Sequence, residues 1–297
     1  MAAQPDTGAT KWSLARGRPA VESGSGATPG PVSGEQTIWN EVAELYGAGR
    51  SPFASFAERL VDRARLERGE TVLDLGCGNG LALVHAAAAV APGRALGVDF
   101  SEGMLVAAAR RVQSAGLSNA ELRRMDVRAL ELADASFDAA LASSVLQFVG
   151  YSIDVLREWR RVLRSGGRLV FSVPRPAGDL ALPTQLVTEF FPRLPRDVRQ
   201  RLLPVPPPPL PDLPTLCRKA AFKEADVTVE VFPFTLPSCE AWWELQWTHG
   251  IRGFLRQLDP STLVEFKAAA FERLASARLP SGELPGTATF TLCVARA

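Results

Sequence analysis

The stretch Val72-Leu73-Asp74-Leu75-Gly76-Cys77-Gly78-Asn79-Gly80 constrains this chain more than any other: a short apolar strand runs into three alternating glycines and then straight into an apolar helix. Glycine serves a physical need here. The backbone must turn tightly, take positive φ where required, and leave room for a ligand where a Cβ would intrude. A molecule bound at this strand end would sit where doubly wound sheets place their ligands. A plain tight βα turn would also explain two glycines, and a dinucleotide loop is the rival functional reading. The latter, GxGxxG, needs glycine at position 81, where the chain has Leu81; the third glycine falls at Gly80 instead. GxGxG spacing suits a ligand with no pyrophosphate to cradle.

From Thr71 onward, short apolar runs alternate with longer amphipathic ones, as in βα units feeding a parallel sheet. Strands are expected at Val72–Leu75, Ala95–Val98, Glu121–Arg124, Phe137–Ala142 and Arg168–Val173, with helices at Leu81–Val90 and Met104–Val112. Val155, Leu156, Trp159, Val162 and Leu163 share one helical face, and Gly166-Gly167 is expected to stop that helix. Trp39, Val42, Ala43 and Tyr46, then Phe53, Phe56, Ala57, Leu60 and Val61, predict two helices before the first strand. Val227–Val231 and Thr287–Leu292 alternate cleanly and should pair as a final antiparallel unit, with an aromatic-rich helical segment between them, too long for a hairpin loop.

The resulting division is a disordered tail over 1–36, a ligand-binding core over 37–180, a helical and proline-rich insertion over 181–214, core again over 215–236, a helical cap over 237–286 and a final core strand over 287–297. The tail is rich in Gly, Ala, Pro, Ser and Thr and buries too little to offset its ordering entropy. Trp12 is its exception, marking a short helix that could dock on a subunit or over a ligand.

Two further positions extend the loop's chemistry. Asp99 ends the second strand, 25 residues after Asp74. A carboxylate there can accept charge-assisted hydrogen bonds from both hydroxyls of a ribose; the competing role is a cap on the helix that Ser101 and Glu102 begin. Asp126, after the third strand, can accept the exocyclic amine of adenine while Met104 and Val127 offer apolar faces to its ring, or it is simply a solvated loop residue.

On these residues the chain resembles the class I methyltransferases that use S-adenosylmethionine (SAM), in the branch modifying small molecules. The likeness runs from Val72 to Val173, with weaker similarity from Trp39 and at Val227 and the last strand. It implies a doubly wound, Rossmann-like α/β fold: a seven-stranded, mostly parallel sheet with an antiparallel last strand and a helical substrate cap. It further implies that Gly76 and its neighbours Cys77, Gly78 and Gly80 hold the methionine part of SAM. Asp74 and the Ser143 backbone would position its amino group, Asp99 with Phe100 the ribose, and Asp126 with Met104 and Val127 the adenine. Ala220-Ala221-Phe222 departs from the family's usual Ala-Gly-Phe, which puts a local turn in doubt.

Methyl transfer from a sulfonium is an in-line displacement, so alignment is the main demand on the protein and a base is optional. For a hydroxyl or an acidic carbon a base would help, and the chain has two histidines. His85 lies on a packing helix; His249, inside the cap, is the catalytic candidate. Trp39, Tyr46, Gln147, Trp243 and Trp247 are expected as pocket walls. Their aromatic character suits a flat or greasy metabolite, of the secondary-metabolite, quinone or lipid kind, and equally a homodimer interface.

Composition narrows the alternatives. A net charge of +1 without basic runs argues against a nucleic-acid partner. Methyltransferases of planar amide or nucleobase nitrogens usually carry Asn-Pro-Pro-Tyr where this chain reads Ala142-Ser143-Ser144-Val145-Leu146. A SAM-binding scaffold without transfer activity is the non-enzymatic alternative. No apolar run spans a bilayer and no secretion signal is evident, so a cytoplasmic location without membrane insertion is expected. The four cysteines lack metal-ligand spacing, so no metal or disulfide is expected.

Overall fold

The computed structural model describes residues 21–23, 34–47, 53–175, 181–202 and 209–297. Trp12 and residues 203–208 of the proline-rich insertion lie outside the described residues. Within them the chain forms one sheet of eight strands: β1 (Val21–Ser23), β2 (Thr71–Leu75), β3 (Arg94–Asp99), β4 (Ala120–Arg124), β5 (Phe137–Ser143), β6 (Leu163–Arg175), β7 (Glu224–Leu236) and β8 (Leu284–Arg296). Their order is β1-β4-β3-β2-β5-β6-β8-β7. All neighbours are parallel except that β8 runs antiparallel to both β6 and β7. The chain moves outward from β2 to β4, then returns to β5 on the other side of β2, and that reversal opens a crevice at the carboxyl ends of β2, β3 and β5.

The helices are α1 (Gly34–Val42), α2 (Phe53–Ala64), α3 (Leu81–Val90), α4 (Glu102–Ser114), α5 (Ile153–Arg161), α6 (Ala181–Phe190), α7 (Arg196–Arg201), α8 (Leu213–Lys219), α9 (Cys239–Gln246), α10 (Arg252–Leu255) and α11 (Pro260–Ala275). Because both faces of the sheet are covered, its central strands read as unbroken apolar runs. Val72, Leu141 and Val170 face α2 and α3, where Phe56 stacks on Phe290 with centroids 3.8 Å apart. Leu73, Leu75, Ala140 and Phe171 face α5 and α8. Burial of Leu156 and Trp159 on the inner side of α5 contributes roughly 1.5–3 kcal/mol each.

Three features differ from the pattern read in the sequence. The strand Val21–Ser23 sits within the segment expected as a tail and adds an eighth strand at the β4 edge. The helix expected to stop at Gly166-Gly167 ends at Arg161; these glycines instead lie in an irregular stretch of β6, where Gly166 has φ +80° and the register with β5 shifts. Ala221 stands where a glycine was expected after α8, and it takes φ +68°. Its turn closes a Schellman cap, Phe222 N–H to the Cys217 carbonyl at 3.0 Å and Ala221 N–H to that of Arg218 at 2.9 Å.

The insertion carrying α6 and the segment carrying α9, α10 and α11 share one apolar cluster, in which Phe190 meets Phe266 with centroids 5.1 Å apart. The four cysteines are buried and unbridged, with Cys217 and Cys293 Sγ atoms 4.0 Å apart. Among the described residues no three acidic, His or Cys side chains are grouped to hold a metal, and no helix is long and apolar enough to cross a membrane.

Candidate functional site

The crevice is built first from the loop after β2. Gly76, Gly78 and Gly80 have φ of +63°, +53° and +83°, the region that disfavours any Cβ. At Gly76 a Cβ would also come within 2.7 Å of Val145 Cγ2, whereas at Gly78 it would face open space but for Met104 Sδ at 3.9 Å. The backbone at Gly78 is thus left bare toward the cavity. Gly80 opens α3 with no side-chain cap, so the amide end of that helix is available to a carboxylate.

Two buried carboxylates stand beside this loop. Asp99 is 6% exposed; its Oδ2 accepts from Gly78 N–H and its Oδ1 from Ser101 N–H, both at 2.9 Å. The helix-capping role belongs to Ser101, whose Oγ accepts from Met104 N–H, leaving Asp99 to face the crevice. Asp74 is 1% exposed, and neither of its oxygens has a partner in regular hydrogen-bond geometry. Burial, and next the neighbouring charge of Asp99, push the Asp74 carboxyl up to about 7 against a smaller lowering by the Leu83 N–H. Burial likewise raises Asp99 to about 6, opposed by the Ser101, Gly78 and Phe100 amides. Two such carboxylates call for a bound cation and hydrogen-bond donors. SAM fits on both counts: its ammonium suits Asp74, its ribose hydroxyls suit Asp99, and the bare glycine backbone admits its amino-acid part.

Asp126 and Val127 line the same cavity, but Asp126 is already engaged by Arg128: Nη2 donates to Oδ2 at 2.6 Å and the backbone N–H to Oδ1 at 2.9 Å. Trp159 Nε1 donates to the Val127 carbonyl at 2.9 Å, and Glu158 accepts from Leu130 N–H at 2.9 Å, so α5 fixes this loop from beneath. Cys77, Phe100, Met104 and Ser143 also line the cavity. The residues expected on the cofactor side therefore line one cavity, with the exception of Gly80, which packs against Ala108 of α4 instead.

The acceptor side is only partly as expected. Trp39 and Tyr46 line the cavity, and the structure adds Phe53, Phe56, Val145 and Phe148. Trp39 meets Tyr46 and Phe148 edge-on, and Tyr46 stacks on Phe53 with centroids 5.1 Å apart. Gln147 is turned away, its Nε2 donating to the Ser144 carbonyl at 2.8 Å. Trp243 and Trp247 pack against each other and the cap cluster instead of the cavity. His249 stands behind Phe53, ring centroids 5.9 Å apart. Its Nδ1 lies 2.7 Å from the Leu245 carbonyl and so carries the proton, leaving Nε2 as acceptor, while burial lowers its pKa to about 4. Phe53, Phe56, Val145 and Phe148 are not expected as pocket walls from the sequence; for Phe148 the available signal is an aromatic soon after the end of β5.

A family model described as a methyltransferase domain matches residues 73–171. The chain is 42% identical over 142 residues to an uncharacterized 37.1 kDa transposon protein of Streptomyces fradiae; the match covers 47% of this chain and only 41% of that relative's length. It is 28% identical over 271 residues to nocamycin O-methyltransferase of Saccharothrix syringae, covering 85% of this chain and 94% of that protein. Among solved structures, the [4+2]-cyclase SpnF shares the fold with TM-score 0.52 and 22% identity, covering 89% of this chain and 92% of that one. Aklanonic acid methyltransferase DauC of Streptomyces sp. (strain C5) is 33% identical over 152 residues, half of this chain and 68% of that enzyme. With that extent of shared sequence over the glycine loop and sheet, the chain belongs to the class I SAM-dependent methyltransferases.

Proposed function

We propose that the protein transfers the methyl group of SAM to an oxygen, nitrogen or carbon nucleophile of a small, neutral, apolar or aromatic metabolite. One observation carries this reading: a single cavity is divided between the cofactor side, with Asp74, the glycine loop and Asp99, and an aromatic wall of Trp39, Tyr46, Phe53, Phe56 and Phe148. The one basic side chain among the described lining residues, Arg128, is engaged by Asp126. Among the described residues an anionic acceptor would therefore meet buried carboxylates, apolar rings and a guanidinium already engaged by Asp126, which is costly. Two relatives whose names are those of nocamycin and aklanonic acid methyltransferases agree with a small-molecule acceptor.

SAM supplies an activated methyl on a positively charged sulfur. What the chain does is fix geometry: Asp74 and Asp99 would hold the amino group and the ribose of the cofactor, and the aromatic wall would hold a flat acceptor beside it. Alignment of this kind can supply about 7–11 kcal/mol of the barrier. His249 receives no step, because Phe53 separates it from the cavity and a base of pKa about 4 is poorly matched to a neutral-pH proton transfer.

The test is incubation with methyl-labelled SAM and three acceptors: a neutral polycyclic phenol, an acyclic aliphatic alcohol and phosphoethanolamine. Label on the phenol at more than a hundredfold the rate on phosphoethanolamine is expected. Preferential labelling of the phosphorylated amine would overturn the assignment of acceptor class.

A further inference from the structure

We propose that Asn79, the residue between the last two glycines of the loop, is a positioning residue that couples cofactor occupancy to the acceptor wall by holding residues 34–47 down over the cavity. This rests on the SAM site proposed above and goes beyond it, since it assigns to the cofactor loop control of the opposite wall.

Asn79 is 2% exposed, and its Nδ2 donates to the carbonyls of Ala43 at 3.1 Å and Tyr46 at 2.7 Å. Those carbonyls lie at the end of α1 and in the turn after it, where helical carbonyls lose their partners within the helix. One amide thus caps the segment that carries Trp39 and Tyr46. Asn79 is itself fixed in the cofactor loop: its neighbours are glycines at positive φ, and its carbonyl accepts from Arg111 Nε at 3.0 Å. Its Oδ1 is buried with no partner, on a residue that lines the cavity. A donor bound in the cavity could satisfy that oxygen, and a polarised amide is a better donor from its other end.

A second clamp joins the same segment to the other cofactor carboxylate. Asn40 Oδ1 accepts from Ser101 Oγ at 2.7 Å and from Gly103 N–H at 2.9 Å. Ser101 N–H in turn donates to Asp99 Oδ1. The fit is close, since a Cβ at Gly103 would lie 2.8 Å from the Asn40 backbone. The two loops that meet the cofactor therefore hold the 34–47 segment at two places, its middle at Asn40 and its end at Ala43 and Tyr46. On its outer side the segment is tied to the cap by Glu41, paired with Arg252 and Arg256. Movement of the two cofactor loops as they take up a ligand is passed to Trp39 and Tyr46 through two amide side chains.

The experiment is hydrogen exchange on the full chain with and without S-adenosylhomocysteine, comparing the native protein with Asn79→Asp, which keeps the volume but removes both donors. In the native protein the ligand is expected to slow exchange across 34–47 at least tenfold. In Asn79→Asp at saturating ligand that protection is lost, while the glycine loop is still protected. Should Asn79→Asp fail to fold, Asn40→Leu removes the other clamp and is expected to cut the ligand-driven protection of 34–47 by more than threefold. Exchange in 34–47 that ignores the ligand in the native protein, or full protection in the folded variants, overturns the coupling. A native protein that does not bind S-adenosylhomocysteine at all overturns the SAM site itself, a distinct result.

Discussion

Lowering the pH from 8 to 5 should weaken binding of S-adenosylhomocysteine by about three orders of magnitude, and the two buried carboxylates set that figure. In the empty crevice Asp99 titrates at about 6 and Asp74 at about 7, both raised first of all by burial. In the proposed SAM site the ligand would need both as anions: Asp99 to accept two hydroxyls, Asp74 to meet an ammonium. Below its pKa in the free protein, each group must release a proton before binding, which costs about tenfold in affinity per pH unit. At pH 5 the penalty is about 10-fold through Asp99 and about 100-fold through Asp74, and above pH 8 both vanish. The two carboxylates interact, so the pair titrates as a unit over that window.

The sign for stability is opposite. A carboxyl whose folded pKa is raised above its unfolded value of about 3.9 adds stability below that value and loses it as pH rises through the folded pKa. The empty protein should therefore lose stability through pH 6–7, where the ligand begins to bind tightly, and the ligand-induced rise in Tm should be larger at pH 8 than at pH 5. Isothermal calorimetry from pH 5 to 8, in buffers of different ionisation enthalpy, reads both the affinity and the protons released. Asp74→Asn should remove the larger, about 100-fold, part of the loss at pH 5. An affinity constant within threefold across this range would refute the reasoning, since it would mean that neither carboxylate changes charge on binding.

Three substitutions test other parts of the structure. Gly76→Ala combines a left-handed backbone, about 1–2 kcal/mol, with a Cβ 2.7 Å from Val145, about 1–3 kcal/mol, so urea denaturation should show a loss of about 2–5 kcal/mol. A loss under about 1 kcal/mol would mean that the loop relaxes freely. Ala221→Gly relieves the φ of +68° at the end of α8 and should raise stability by about 1 kcal/mol, seen in the denaturation midpoint. His249→Gln should lower kcat less than about tenfold once an acceptor is found, because a general base normally contributes about 10²–10⁴-fold; a larger fall would return His249 to the chemistry.

The cofactor half of the site was legible because its determinants are local. The run Val72–Leu75 sits within the observed strand Thr71–Leu75, and the helix Leu81–Val90 is found as read, since an apolar run followed by glycines leaves little choice of conformation. Asp99 could be placed because a strand end, once located, fixes where its last side chain stands. The failures share a different cause. Gly166-Gly167 reads as a helix stop or as an irregular strand with equal ease, and pairing with β5 and β8 decides between them. Val21–Ser23 has no pattern of its own and becomes a strand only because the edge of β4 offers it partners. The bond of Asp126 with Arg128, two residues on, follows from the turn in that loop, which no periodicity reveals.

The acceptor wall shows the same limit more sharply. Aromatic content predicts burial, but not against what: Trp243 and Trp247 satisfy theirs within the cap, whereas Trp39, Tyr46 and Phe53 do so against the cavity. Trp39 and Tyr46 lie on a segment held by polar anchors between residues far apart in sequence, Asn79 to Ala43 and Tyr46, and Asn40 to Ser101. Asn40 lies within α1 and Asn79 within the glycine loop. In this chain the segment carrying Trp39 and Tyr46 is tied to the loops beside the cavity by two amide side chains, Asn79 and Asn40, whose long-range partners no local pattern reveals. Acceptor preference should then respond to changes in residues 34–47 that leave cofactor affinity within threefold; Trp39→Ala, assayed for both, is the direct measurement. A parallel fall in the two would place the wall and the cofactor in one indivisible site.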